Sequence, residues 1–376
     1  MPTRSPRRLL CQCLAGALGQ TLVAKDLPAN PAEWQSLLRF ANAQVVAPLL
    51  RWALQENALT AELPTDIVEF LDAFYAFNLD DNRRYADQLA HLIQTLNGIG
   101  VRPVLLKGAA TLVDGLYPTP GERFIGDIDI LVPPHRLGEI LNQLHAVGYK
   151  PATIDNSPPT AEKFIQQGNH HHYPLLISCD WPVGVELHVH PILSHLTRLL
   201  SSEEIMRDAR PVNWRGGECL LPSPTHFVTH NIIHAFLVDY QINGVLALRQ
   251  VFEFVHASRL YADQIDWDAI RRWFDGLGDG TALRRYVALA EAYLGFQTPP
   301  ELPIGKGAQW WTRLHCALVE TPSAIYILFL LGQRLRIHAH NLKNPSMALS
   351  LNSYVRFYRE LCRFKTALYT SRRHNL

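Results

Sequence analysis

Hydrophobic residues recur at three- and four-residue spacing over most of the chain, which is typical of helices that bury one face. Before residue 96 this spacing predicts a plain first helix, a helical stretch that Pro48 kinks or divides, and a long helix over residues 64–96. The spacing returns at about Pro224 and predicts helices over residues 225–238, 245–260, 267–277, 281–294, 310–319, 322–338 and 352–369. We therefore expect residues 1–95 and 216–376 to be helical regions.

The middle of the chain has short, uninterrupted apolar runs instead, which indicate buried strands. These candidate strands are residues 104–106, 125–132, 173–178 and 183–189. One helical pattern lies between them, over residues 134–147, and residues 151–168 are polar and expected to form a loop. This alternation of strands and a helix predicts an α/β or α+β core in residues 96–215, between the two helical regions.

Composition limits the classes of protein that the chain can represent. Of its 376 residues 48% are hydrophobic and 18% are charged, which indicates a globular protein. A formal net charge of +1 argues against a broad nucleic-acid-binding surface. No apolar run reaches the roughly 20 residues of a membrane span, and the arginine-led N-terminus fits an amphipathic helix better than a signal peptide. The six scattered cysteines, without a CxxC pair, indicate reduced thiols and a cytoplasmic protein.

Two aspartates interrupt the apolar run over residues 125–132. Asp127 and Asp129 are two residues apart, so their side chains point to one face of the strand, while Ile128 and Ile130 point to the other. Neighbouring carboxylates repel each other unless a cation lies between them. The usual cation is divalent and held by oxygen ligands, most often Mg²⁺ when phosphates are involved. The alternative is a pair of solvated aspartates at a strand edge.

Lys107 and Gly108 follow the first candidate strand and open a helical segment. A glycine there lets a phosphate approach the amide groups of the helix N-terminus, and Lys107 would add a positive charge. Arg123, just before the strand of Asp127, is a further candidate for contact with a triphosphate, and Arg249 is a weaker one. The alternative is an ordinary connection from strand to helix, where a Lys-Gly pair is common.

The segment VGVELHVH places Glu186, His188 and His190 on one face of a strand and its apolar residues on the other. Glu186 is a candidate third carboxylate, which would complete a metal site or accept the proton of an acceptor hydroxyl. We keep His188 as a candidate nucleotide-binding residue. The alternative for Glu186 is an outward-facing strand residue, and that alternative is stronger for both histidines.

His230 and His234 lie four residues apart on the predicted helix over residues 225–238 and therefore share one face. This spacing can ligate a metal ion, but no glutamate separates the two histidines as in the HExxH zinc pattern. They are candidates for a wall of the active site that contacts nucleotide or substrate, and a packed pair of core histidines is the alternative. The tract His170–His172 is expected in a loop, solvated or at the mouth of a pocket.

These segments together resemble a known family. KGAATLVDGLYPTPGERFIGDIDILV, followed by VELHVHP, is similar to the uncharacterised bacterial nucleotidyltransferase family of the DNA polymerase β-like superfamily. The superfamily pattern has a glycine at a helix start, Asp-x-Asp on the next strand and an acidic residue on a later strand. It matches Gly108, Asp127, Asp129 and Glu186. PLLRWAL, THNIIHAF and DWDAIRRW extend the resemblance from about residue 30 to residue 280.

The resemblance implies an α+β fold, in which a polymerase β-like nucleotidyltransferase core has a small mixed sheet. It also implies an enzyme that transfers a nucleoside monophosphate from an NTP, with ATP the expected one, to an acceptor and releases pyrophosphate. Asp127, Asp129 and Glu186 would hold Mg²⁺ (or Mn²⁺), while Lys107 and Gly108 would bind the β- and γ-phosphates. The acceptor stays open between a small molecule, a peptide and a protein hydroxyl, and the near-neutral charge argues against tRNA or DNA.

One departure from the pattern keeps other functions open. Ala109 stands where the superfamily has a serine or a second glycine, so no hydroxyl is available there to contact a phosphate. The second hypothesis is therefore a nucleotide- or partner-binding module that has lost turnover. A third is a toxin-type nucleotidyltransferase that modifies a protein or a tRNA.

Overall fold

The computed structural model describes residues 5–152, 158–168, 170–240 and 246–319. The helices expected over residues 322–338 and 352–369 lie outside this described part. None of the helices in the described part is long and apolar enough to cross a membrane.

Four helices precede the sheet, as the apolar spacing predicts. They are α1 (Pro6–Ala17), α2 (Pro31–Ala43), α3 (Ala47–Glu56) and α4 (Thr65–Asn97). Pro48 divides the second predicted stretch because it lies in the first turn of α3, where a helix does not use the backbone N–H that proline lacks. Helix α1 packs against α3 and α2, which confirms a plain first helix.

Seven strands form one sheet in the order β3-β4-β5-β2-β1-β7-β6. Their bounds are β1 Val104–Leu105, β2 Ile128–Leu131, β3 Lys150–Pro151, β4 Leu176–Ile177, β5 Val185–His188, β6 Arg210–Trp214 and β7 Gly217–Leu221. Strand β2 is parallel to β5 and β1 is parallel to β7, whereas the other neighbours are antiparallel. The sheet is mixed, as expected, but with seven strands the expectation of a small sheet is wrong.

Strands β6 and β7 form a hairpin that the apolar pattern does not predict. Arg215 and Gly216 make its two-residue turn, and both have left-handed backbone angles, with φ of 45° and 82°. Burial alternates along β7, with Cys219 and Leu221 inside and Glu218 outside, so no uninterrupted apolar run marks this strand. The expected end of the core at residue 215 falls inside this turn.

Four further helices lie between the strands: α5 (Lys107–Asp114), α6 (Leu137–Ala146), α7 (Ala161–Gln167) and α8 (Ser202–Asp208). Helix α6 confirms the helical pattern over residues 134–147. Helix α7 corrects the expected loop, because the hydroxyl of Thr160 accepts a hydrogen bond from the backbone of Lys163 and starts a helix there. Phe164 is the one buried residue of α7, so the segment has no apolar stripe to indicate it.

The chain after the sheet is helical, as predicted. The helices are α9 (Pro224–Ile232), α10 (Leu248–Leu260), α11 (Trp267–Gly276), α12 (Gly280–Leu294) and α13 (Gly305–Val319). Helix α9 continues directly into a π-helical segment, Ile233–Asp239, which the spacing does not predict. Short 3₁₀ turns occur at Ala24–Asp26, Thr60–Glu62, Pro134–Arg136, Ser194–Leu196 and Ala262–Gln264.

Strands β2 and β5 lie near the middle of the sheet and are largely buried. Every residue of β2 is buried, and in β5 only Glu186 is partly exposed. Any polar side chain on these two strands is therefore largely removed from water and needs a partner within the protein or a ligand.

Candidate active site

Asp129 lies on β2 directly beside Glu186, its register partner on the parallel strand β5. Asp127 lies in the bend directly before β2. Alternation along β5 places His188 on the same side as Glu186. Only 1% of the Asp129 side chain is exposed. The sheet therefore brings carboxylates from two distant segments to one place.

The two carboxylate oxygens of Asp129 have different surroundings. Oδ1 accepts hydrogen bonds from Nζ of Lys107 at 2.6 Å and from Nε2 of His188 at 2.8 Å. Oδ2 is buried and has no hydrogen-bond partner among the described residues. Burial alone would raise the pKa of Asp129, but Lys107 and His188 together hold it well below its usual range. Asp129 is therefore ionised. Its Oδ1 accepts two hydrogen bonds, and its Oδ2 accepts none from the described residues.

His188 holds Asp129 and Glu186 together. Its Nε2 lies 3.4 Å from Oε2 of Glu186 in addition to its bond to Asp129. Its Nδ1 lies 3.3 Å from the backbone oxygen of His190, which can only accept, so Nδ1 carries a hydrogen. Burial lowers the pKa of His188, but the hydrogen bonds to Asp129 and Glu186 outweigh it and the pKa is raised. Both ring nitrogens thus act as donors.

A metal ion has one candidate set of ligands in the described part of the chain. One atom each of Asp129, Glu186 and His188 lies within 4.8 Å of the others. While both ring nitrogens of His188 carry hydrogen, however, His188 cannot be a ligand. Asp127 is outside this set. Burial and the charge of Asp129 raise the pKa of Asp127. Asp127 is therefore close enough to Asp129 to interact with it electrostatically. Of the predicted ligands, the structure brings Asp129 and Glu186 together, with Asp127 beside them.

Lys107 is the first residue of α5, at the sharp turn that follows β1. Its φ is 44°, a left-handed angle that is uncommon outside glycine and costs about 1–3 kcal/mol. The turn aims the ammonium group at Asp129. Gly108 is required for a different reason, since a Cβ there would lie 2.6 Å from Nη1 of Arg123 and 3.0 Å from Cγ2 of Ile125. The space over Gly108 is thus filled by protein atoms.

Arg123, a predicted phosphate contact, is engaged in a buried ion pair. Its Nε lies 2.5 Å from Oε2 of Glu253 on α10, and each side chain is 6% exposed. Tyr117 donates to the same carboxylate at 3.3 Å, and Nη1 of Arg123 donates to the backbone of Phe124. Glu253 was not singled out from the sequence, although an acid between Phe252 and Phe254 is the same signal that marks Asp129.

His230 and His234 contact other groups than the carboxylates of the sheet. The buried Nε2 of His230 lies 2.9 Å from the backbone oxygen of Pro191, and burial lowers the pKa of His230 to about 3. His234, on the π-helical segment, has Nδ1 3.1 Å from Asp239, and Gln250 donates to Asp239 at 2.7 Å. The contact of His234 with Asp239 was not predicted, because only a π-helical turn brings residues five apart together. The contact of Gln250 was not predicted either, because it is made from another helix, α10.

His171 and His172 form the edge of the site. Both ring centres lie 5.4 Å from the ring centre of His188, and Nε2 of His172 is 3.9 Å from Oε1 of Glu186. Burial lowers the pKa of His171 to about 2, so this ring is neutral. This part of the histidine tract lies beside the carboxylates.

Comparison with known proteins gives a family. The model of a family described as "uncharacterised nucleotidyltransferase" matches residues 30–295. No curated protein matches the chain. Among solved structures, a crystal structure of an antigenic nucleotidyltransferase-like protein from Paracoccidioides brasiliensis is 15% identical, with a TM-score of 0.36, and the match covers 57% of this chain and 93% of that chain. Because the family match spans well over half of its 376 residues, the chain belongs to this family of uncharacterised nucleotidyltransferases.

Proposed function

We propose that the protein transfers a nucleoside monophosphate from an NTP, with ATP the expected nucleotide, to an acceptor and releases pyrophosphate. The observation that carries the proposal is Oδ2 of Asp129, which is buried, ionised and without a hydrogen-bond partner in the described part of the chain. An unsatisfied buried oxygen costs about 1–3 kcal/mol. It is the one carboxylate oxygen among the buried side-chain atoms that lack a partner in the described residues, which supports a cation bound there.

The residues present fit a divalent cation. Lys107 and His188 occupy only Oδ1 of Asp129, so Oδ2 is available, and Glu186 and Asp127 supply further carboxylate oxygens beside it. Oxygen ligands of this kind suit Mg²⁺ or Mn²⁺. His188 would position Asp129 and Glu186 as a hydrogen-bond donor. The ion, when bound, would neutralise charge on the phosphates.

The remaining chemistry is assigned to the side chains. The acceptor oxygen attacks the α-phosphorus, the bond from that phosphorus to the bridging oxygen of the β-phosphate breaks, and pyrophosphate leaves with the electron pair. Glu186, whose side chain is 19% exposed, accepts the proton of the acceptor hydroxyl. Asp127 and Asp129 would hold the divalent ion, because without it their carboxylates would repel the phosphates. Catalysis then comes from positioning and charge neutralisation. A small molecule, a peptide and a protein hydroxyl all stay open as acceptors.

A binding module without turnover is the second candidate. Two observations favour it: Lys107 and His188 already neutralise Asp129, and Ala109, fully buried, offers no hydroxyl. In such a module the cluster would be a structural charge network, and an NTP would bind without being consumed.

Pyrophosphate release separates the two candidates. We expect the wild type to release pyrophosphate, or to label itself, with at least one radiolabelled NTP in the presence of Mg²⁺ or Mn²⁺. The double variant Asp127→Ala/Asp129→Ala should lose this activity by at least about 100-fold, whereas the exposed Asp263→Asn should keep it. NTP binding that persists in the double variant, with no pyrophosphate from any protein, favours the module.

A further inference from the structure

One face of α10 contacts the segment that leads into β2, the strand of Asp129. His256 lies with Nε2 2.6 Å from the backbone oxygen of Leu116, and Glu253, one turn earlier, pairs with Arg123. Arg249 is one further turn toward the N-terminus of α10 and shares this face. His256, Glu253 and Arg249 thus lie near Leu116, Arg123 and Asp127, respectively. The carboxylate of Asp127 is close enough to Arg249 to interact with it electrostatically.

The charges at this face include the carboxylate of Glu253 and the guanidinium groups of Arg249 and Arg123. The carboxylate of Glu253 is already bonded to Arg123 at 2.5 Å and to Tyr117 at 3.3 Å. Arg249 is half-buried, and its buried Nε has no hydrogen-bond partner among the described residues. Burial and the neighbouring charge of Arg123 lower the pKa of Arg249. Glu253 is thus bonded to the guanidinium group of Arg123, and Arg249 lies within electrostatic reach of both.

The other predicted phosphate contacts are occupied by the protein itself. Lys107 is bonded to Asp129 at 2.6 Å, and Arg123 is bonded to Glu253. The space over Gly108 is filled by Arg123 and Ile125. Arg249 differs from both cations because its guanidinium still has a donor to give, and a guanidinium fork matches a phosphate with two parallel hydrogen bonds.

We propose that Arg249 binds the polyphosphate chain of the nucleotide, as the cation that the fold leaves unpaired beside Asp127. This inference rests on the proposed function for the identity of the ligand. It assigns Arg123 to a supporting role, in which its bond to Glu253 stops that carboxylate from neutralising Arg249. The negative charge of the phosphates supplies the partner that Arg249 lacks.

Binding of two probes tests the proposal without turnover. One is α,β-methylene-ATP, and the other is inorganic tripolyphosphate, each titrated calorimetrically in Mg²⁺. A charge-assisted hydrogen bond contributes about 1.5–3 kcal/mol, so we expect Arg249→Gln to bind both probes about 10- to 100-fold more weakly. Arg249→Lys keeps the charge but loses the two parallel donors of the guanidinium group, so its affinity for both probes should lie between those of Arg249→Gln and the wild type. Arg259→Gln, exposed near the other end of α10, should bind as the wild type does.

Stability provides a second readout. A purely structural arginine should destabilise the protein when it is removed, whereas Arg249→Gln removes a like charge beside Arg123 and an unpaired donor. We therefore expect its Tm to equal or exceed that of the wild type. If the glutamine does not fold, Arg249→Met, of similar length and uncharged, replaces it.

Two results would overturn the inference: equal affinity of Arg249→Gln and the wild type for both probes, or no binding of either probe by the wild type. Pyrophosphate release is measured separately on the same proteins. A wild type that binds tripolyphosphate through Arg249 but consumes no NTP supports the inference and contradicts the proposed function. If the wild type consumes NTP and Arg249→Gln binds both probes as tightly as the wild type, the proposed function is supported and the inference about Arg249 is contradicted.

Discussion

At the scale of single residues, the asymmetry of Asp129 is the most informative feature of the site. Oδ1 accepts two hydrogen bonds from charged donors, and Oδ2 accepts none from the described residues. A purely structural carboxylate would be expected to use both oxygens, because an unmet buried acceptor destabilises the fold. The left-handed backbone at Lys107 adds a second local cost at the same point. Both costs occur where a ligand would be bound.

Gly108 allows a prediction about one atom. A Cβ at this position would lie 2.6 Å from Arg123, itself fixed by Glu253, so the neighbour cannot move without breaking a buried ion pair. We expect Gly108→Ala to lower the free energy of unfolding by about 1–3 kcal/mol, measured by denaturant titration. Gly276→Ala is the matched control, because it meets nothing within 4 Å and lies at the end of α11. Equal stability of the two variants would show that Arg123 adapts freely.

At the scale of elements, the Arg123–Glu253 pair ties α10 to the segment before β2. Glu253→Gln leaves Arg123 without its counter-charge in a buried place, so we expect unfolding to become easier by about 3–5 kcal/mol. Arg84→Met, which breaks an exposed pair with Asp80, should cost about 0–1 kcal/mol. Urea titration measures both.

The double variant Arg123→Met/Glu253→Leu distinguishes the charge from the packing. Removing both partners eliminates the unpaired charge, so part of the stability lost in Glu253→Gln should return. A double variant less stable than Glu253→Gln would mean that the shape of the pair, rather than its charge, holds the two elements together.

The elements differ in how far the sequence predicts them, and burial explains why. Helices such as α4 have a long apolar stripe, and β2 and β5 have apolar runs because their surroundings are buried. The β6–β7 hairpin has alternating burial, α7 has a single buried residue, and the π-helical segment repeats the helical pattern with a different hydrogen-bond spacing. These elements depend on turns, caps and tertiary packing, which an apolar pattern does not record.

At the scale of the whole molecule, the site is assembled from segments far apart in the chain. The Asp127–Asp129 pair and Glu186 could be predicted because an acid within an apolar strand is visible in the sequence. The partners of charged groups could not be predicted, because they depend on contacts between distant parts of the chain. Examples are the pairing of Asp129 with Lys107 and that of Arg123 with Glu253. Lys107 and Arg123 were expected to bind phosphate, and the structure shows each of them bonded to a carboxylate of the protein.

The stability of the whole molecule should respond to a divalent ion. Asp127, Asp129 and Glu186 repel one another, and the charge of Asp129 contributes to the raised pKa of Asp127. An ion that binds only the folded chain stabilises it by about 2.7 kcal/mol at a hundredfold excess over its Kd. We therefore expect Mn²⁺ or Mg²⁺ to raise the Tm of the wild type by several degrees.

Glu186→Gln should fold with a similar Tm and lose most of this shift, together with turnover, because the glutamine keeps the shape of the side chain but not its charge. Glu218→Gln, an exposed acid on β7, should keep the full shift. A shift of equal size in Glu186→Gln would remove Glu186 from the metal site, and no shift in any protein would favour the charge network of Lys107, Asp129 and His188 as a purely structural device.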